Sequence, residues 1–217
     1  YDVSVTATTG QIYFNNGGDK RKLLDVKQWG TCAWTSFRKS FHGCSNMVST
    51  AADNPNLSNV SDFYRALSSC SSFNADIGSW DMSNVTNIYQ MFLSCTIFNQ
   101  DISSWNVSSV NTMAYLFYSA RNFNQPIGNW DISNVTDLNN VFFLATSFNQ
   151  PLNNWNVSNV TNMQNMFFDA AIFNQPLDTW DVSNVTNMSS MFYRCYGFDQ
   201  DISSWQVTQV TNFTNFM

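Results

Sequence analysis

The chain has 217 residues, 44% of them apolar and 16% aromatic, with nine Lys and Arg against fifteen acidic residues and a net charge of −6. No apolar run approaches the ~20 residues a helix needs to cross a bilayer, so no membrane span is expected within the chain. Beyond residue 65 only Arg121 and Arg194 stand against ten Asp, a balance of −8 that cannot neutralise a phosphate backbone and so argues against nucleic acid as a partner.

Every acidic residue is Asp, with no Glu. Asp favours turns and caps where Glu favours helix interiors, so the composition suits short elements joined by tight turns. Tyr1 is not an initiating methionine and no signal peptide is read at it, so the chain is expected to be processed, excised or partial.

Residues 1–22 read as remnant β-strands of a preceding domain: Val3 and Val5 alternate, QIYF is a second β-like run, and NNGGD is a turn. Residues 23–72 read as irregular N-terminal coils forming a cap, because terminal repeats shield the end of a stacked core. Their apolar set is Val26, Trp34, Phe37, Phe41, Cys44 and Met47, followed by NLSNVSDFYRALSSC over 56–70.

From Phe73 the string FNQPLDTWDVSNVTNMSSMFYRCYG, as it stands at 173–197, recurs every 25 residues to Met217, with the last coil incomplete. A fixed period of this length marks a solenoid, in which each coil buries its apolar face only against its neighbours. Within a coil, FNQ and the following Ile or Leu predict a short parallel strand, weakened where Pro126, Pro151 and Pro176 remove an N–H. Val185, Met188, Met191, Phe192 and Cys195 fall three or four apart, which predicts a short helix capped from Ser183, Asn184 or Thr186. One strand and one helix per coil is an α/β repeat solenoid of leucine-rich-repeat-like coils.

Stacking then places equal residues over one another. The predicted core columns are Phe98, Phe123, Phe148 and Phe173; Trp105, Trp130, Trp155 and Trp180; Val135, Val160 and Val185; and Phe142, Phe167 and Phe192. Each large side chain would contribute roughly 1.5–3 kcal/mol of transfer free energy. Asn74, Asn99, Asn124, Asn149 and Asn174 predict a hydrogen-bonded ladder serving backbone groups, broken at Asp199. Cys70, Cys95 and Cys195 share a column with Ala120, Ala145 and Ala170, and Cys44 joins it. Coils ~4.8 Å apart hold parallel Cβ atoms beyond the ~3.5–4.5 Å a disulfide prefers, so these read as buried thiols, with a Cys32–Cys44 bridge left open.

The consensus F-N-Q-[DP]-[IL]-x-x-W-[DN]-[VIM]-S-N-V-T-N-M-x-x-M-F-x-x-[CA], with the leading IYFNNGGDKRKLLDVKQWG and WTSFRKSFHGCSNM, resembles the BspA-type leucine-rich-repeat surface proteins over residues 11–217. The resemblance implies a secreted or cell-surface protein used in adhesion, partner binding or surface structure, preceded by a PKD-like β-domain. No catalytic residue comes with it.

The residues themselves give little chemistry. His42 is the single histidine, and no phosphate loop, CxxC or nucleophile motif is present, so an enzyme is not expected, nor a cofactor or metal. Asp81, Asp131 and Asp181 alternate with Asn106 and Asn156, and Asp76, Asp101 and Asp201 form a second file; turn formation accounts for both better than calcium. The tryptophan column reads as core rather than a sugar platform. Asn84, Asn134, Asn159 and Asn184 are candidate glycosylation sites within repeated SNVT turns, modified in a eukaryotic secretory source and not in a bacterium. The expected function is a non-enzymatic extracellular adhesion module with a protein or glycan ligand. The alternative is a filament or surface-layer subunit, suggested by apolar columns reaching Met217 without a polar cap.

Overall fold

The computed structural model describes residues 8–217, so the expected alternation at Val3 and Val5 lies outside the described residues. From there the chain winds as a pile of coils. Single-residue parallel bridges join Asp62, Asn87, Thr112, Asp137, Asn162, Asn187 and Asn212 in turn, each 25 residues from the next.

The α/β architecture expected from the sequence is not the one formed. Among the described residues there is no α-helix; the only helical segment is a 3-10 turn at Lys20–Lys22. Extended structure is confined to β1 (Thr9–Gly10), β2 (Asp25–Val26), β3 (Ala33–Trp34) and β4 (Val48–Ser49). These pair in parallel as β1 with β3 and β2 with β4. Residues 9–16 therefore lie on the coil stack, with Phe14 and Asn16 donating backbone N–H bonds to Ser40 and His42.

Where a helix was expected, the backbone makes consecutive four-residue turns. In the coil around Phe142, the N–H groups of Leu138, Asn140, Phe142 and Leu144 donate to the carbonyls of Asn162, Gln164, Met166 and Phe168 in the next coil. The intervening Val141, Phe143 and Ala145 close turns onto Leu138, Asn140 and Phe142. Asn140 and Leu144 both sit at φ 57°, and the same two positions are left-handed in each regular coil, at 90 and 94, 115 and 119, 165 and 169, and 190 and 194. A left-handed residue at every fourth position interrupts the right-handed wind before a helix can propagate. Val, Thr, Asn, Ser and Phe are also poor helix formers, and one isolated turn does not repay the cost of nucleation. Residues three and four apart still face inward, so the burial pattern resembles a helix although the hydrogen bonds do not.

The expected FNQ strand is likewise absent. Backbone N–H groups there meet side chains instead of carbonyls: Asn99, Asn124, Asn149 and Asn174 each donate to the Asn Oδ1 one coil earlier, at 2.8–2.9 Å. Proline in the adjacent column has no N–H with which to continue a backbone ladder.

The interior is dry and aromatic. Phe98, Phe123, Phe148 and Phe173 lie at 6.0 Å intervals with their planes within 8°. Phe142, Phe167 and Phe192 form a second file at 5.5 Å, offset against the first. Val135, Val160 and Val185 are fully buried. The tryptophans stack at 6.3 Å where Trp105 meets Trp130 and Trp180 meets Trp205. Each indole N–H of Trp105, Trp130, Trp155 and Trp180 donates to the carbonyl 28 residues earlier, at 3.0–3.1 Å.

Trp130 therefore fills space and satisfies the Ile102 carbonyl. Trp130→Ala is expected to cost roughly 3–5 kcal/mol, and Trp130→Phe about 0.5–1.5 kcal/mol by removing one of the two hydrogen bonds that the Ile102 carbonyl accepts, the other coming from the Trp105 N–H. Urea unfolding followed by tyrosine and tryptophan emission measures both. Ser119 tests the turn geometry, since its φ is 55°. Ser119→Val is expected to lower stability by about 1–2 kcal/mol, whereas Ser119→Gly matches or exceeds the parent in the same assay.

Candidate interaction surface

Interior chemistry is quiet. All five cysteines are free, Cys32 and Cys44 included. Cys70, Cys95 and Cys195 donate their thiols to the carbonyls of Phe41, Leu67 and Ala170 at 2.9–3.0 Å. Burial pushes Cys44, Cys95 and Cys195 up to about 12 and Cys70 well above its ordinary value, which leaves them without nucleophilic thiolate at neutral pH. Among the described residues, no three His, Cys, Asp or Glu side chains gather to hold a metal ion, and no helix is long and apolar enough to cross a membrane.

The aspartate files close turns. Asp81, Asp131 and Asp181 accept from the N–H of Ser83, Ser133 and Ser183 at 3.0 Å, and Asp101 and Asp201 do the same for Ser103 and Ser203. Hydrogen bonds from these serines, side chain and backbone, hold the carboxyls below their usual range. Asn106 and Asn156 make the same turn without charge. The amides of Asn84, Asn134, Asn159 and Asn184 are exposed, and each donates to a serine carbonyl one coil back, at 2.7–3.1 Å. The asparagine ladder reaches one step past Asn174, since the Asp199 N–H donates to the Asn174 Oδ1 at 3.0 Å. Gln125, Gln150, Gln175 and Gln200 brace it by donating to the same Asn oxygens.

A second aromatic file, not expected from the sequence, lies on the outside. Seven rings run along one face: Tyr64, Tyr89, Tyr115, Tyr118, Phe143, Phe168 and Tyr193, with successive centroids 4.5–5.8 Å apart. The first six are half-buried and Tyr193 is exposed. The signal lay in doubled aromatics. Tyr118, Phe143, Phe168 and Tyr193 each follow the buried Phe117, Phe142, Phe167 and Phe192, and adjacent residues cannot all face the core. Tyr118–Phe143 and Phe143–Phe168 are stacked at 4.5 Å, so the rings occupy one another's faces and turn their edges to solvent.

The file begins at a basic corner. Arg38, Arg65 and Lys39 lie 4.3, 5.4 and 5.7 Å from the centroid of Tyr64. His42 is close by; burial, then Arg65, Lys39 and Lys20, lower it from 6.5 to about 4, so it is neutral at physiological pH. The Nδ1 of His42 is buried without a hydrogen-bond partner.

Stacked turn coils around an aromatic interior define a repeat protein built on a 25-residue unit. The chain belongs to the family described as "Mycoplasma protein of unknown function, DUF285", which matches it over residues 35–137 and again over 122–217. No curated protein and no solved structure matches the chain.

The shifted groups set the acid response. His42 is lowered on folding, so its contribution is whole above pH 6.5 and is lost as pH falls from 6.5 to about 4. The aspartates are lowered from 3.8, so theirs is present above that value and is lost as pH falls through their native values. Thermal midpoints measured from pH 7 to 2.5 should decline in both windows. His42→Gln should flatten the upper limb alone, and Asp81→Asn with Asp131→Asn and Asp181→Asn the lower limb alone.

Proposed function

We propose that this chain is a non-enzymatic, extracellular binding module of the BspA-type surface class, holding a protein ligand along the outer aromatic file. The file of seven rings carries the reading. Ring-to-ring contact, stacked or tilted, restrains each ring before any ligand arrives, so less side-chain entropy remains to be lost on binding, and tyrosine supplies an apolar body with a polar tip. Flanking Asn, Gln and Asp side chains give the polar rim such a patch needs. The 25-residue repeat and its resemblance to adhesive surface proteins support the same reading. A protein ligand is favoured over a glycan because sugars stack on ring faces, and between Tyr118 and Phe168 the faces are taken by neighbouring rings.

Substitutions that other coils already carry test this without endangering the fold. The column of Tyr89 holds Ala114, Asn139, Gln164 and Ser189, and that of Tyr115 holds Asn140 and Asn165. Tyr89→Ser with Tyr115→Asn is expected to leave the thermal midpoint within a few degrees of the parent. It should weaken binding to intact cells or to an extracellular-protein array by at least about tenfold, or ~1.4 kcal/mol. Undiminished capture by the double variant, or capture confined to a glycan array, would overturn the assignment.

A further inference from the structure

The basic corner at one end of the file gives the ligand a chemistry and a direction. Seven of the nine Lys and Arg fall in residues 1–65, and three of them surround Tyr64. Arg38 is neutralised by Asp62 at 3.0 Å. Among the described residues, Lys39 and Arg65 have no carboxylate partner; the Arg65 guanidinium donates to the Gln90 side chain. Lys20, which also acts on His42, bonds only to Asn16, through its carbonyl and side-chain oxygens at 2.5 and 2.7 Å. At the other end, Asp169 and Arg194 pair at 3.7 Å and compensate each other. The file therefore carries net positive charge at the Tyr64 end only.

The rings between add a second preference. An aromatic ring is negative on its face and positive at its edge. Where they stack, at Tyr64–Tyr89 and from Tyr118 through Phe143 to Phe168, these rings cover their negative faces and offer positive edges and tyrosine hydroxyls; the tilted pairs between and beyond them add further ring edges. Such a strip suits carboxylates and the faces of a partner's own aromatic rings. A long polyanion gains less: beyond residue 65 the chain carries a balance of −8, which repels charge extending past the corner.

We propose that the ligand is an extended acidic polypeptide segment containing aromatic residues. Its carboxylates are held by Lys39 and Arg65 beside Tyr64, and its aromatic side chains lie across the ring edges toward Tyr193. This rests on the reading of the aromatic file as a binding surface. Lys39 and Arg65 occupy a column that elsewhere holds Gln90, Asn140 and Ser190, all left-handed, so polar replacements are tolerated there.

The test uses a short fluorescein-labelled block copolymer, with glutamates at one end and tyrosines at the other, and labelled heparin as the sulfated-polysaccharide comparator. Both are titrated with the intact chain and followed by fluorescence anisotropy. The copolymer is expected to bind more tightly than heparin, with an affinity that falls as salt rises. Lys39→Ser with Arg65→Gln should weaken copolymer binding by at least about tenfold and remove most of the salt dependence. Tyr89→Ser with Tyr115→Asn should weaken it comparably and leave the salt dependence in place. No copolymer binding, or undiminished binding by the Lys39/Arg65 variant, overturns this inference. If the Tyr89/Tyr115 variant alone loses binding, the aromatic file keeps its role and only the corner fails. If neither variant loses binding, both readings fall. Heparin bound as tightly as the copolymer overturns the choice of a polypeptide.

Discussion

In its turn segment each coil passes alternate backbone N–H groups to its neighbour, and the rest of the structure follows from that obligation. Between Leu138 and Leu144 every second amide donates to the next coil while the others close local turns. Neither a helix, which satisfies its amides internally, nor a lone hairpin could stack this way. The alternation requires a residue of positive φ at two positions per coil. Non-glycine residues bear that strain because each one secures bonds on both sides, and a buried amide left unpaired would cost more.

The interior answers the same obligation with side chains. Phe, Trp and Val columns keep adjacent coils in register because a slip of even one residue would set a serine or asparagine against an aromatic stack. Tryptophan contributes twice, filling volume and donating its indole N–H to a carbonyl that already accepts a turn N–H in its own coil. Asparagine at the second position of each coil acts similarly from outside, its Oδ1 accepting the backbone N–H that a strand would have paired. Contacts pass chiefly between neighbouring coils, so stability accumulates along the stack.

A core of this kind leaves function to the outside. The thiols are buried and protonated, the aspartates are committed to turns, and the single histidine is held neutral by burial and three cations. What is free to meet another molecule is surface arranged in long files: carboxamides, sequon asparagines, aspartate turns and the aromatic strip. Of these, the strip alone combines large apolar area with a charge gradient along its length.

The sequence by itself determined the period, the register and the inward-facing residues. Phe, Trp, Val and Met columns stand out because like side chains recur at one spacing and large apolar groups must leave water. It also determined the asparagine file, because equal residues stack at the period, and the turn-forming aspartates, because their bond closes within two residues. The backbone conformation was settled only by tertiary contact. Apolar spacing of three and four suits a helix and a run of four-residue turns equally, and the choice between them lies in where the amides donate, which the coil alongside decides. The absence of Glu was the local hint toward turns. The outer aromatic file was only half legible. The sequence set Phe142, Phe167 and Phe192 inward, which leaves Phe143, Phe168 and Tyr193 outside, but that these rings meet one another along one face depends on how neighbouring coils sit.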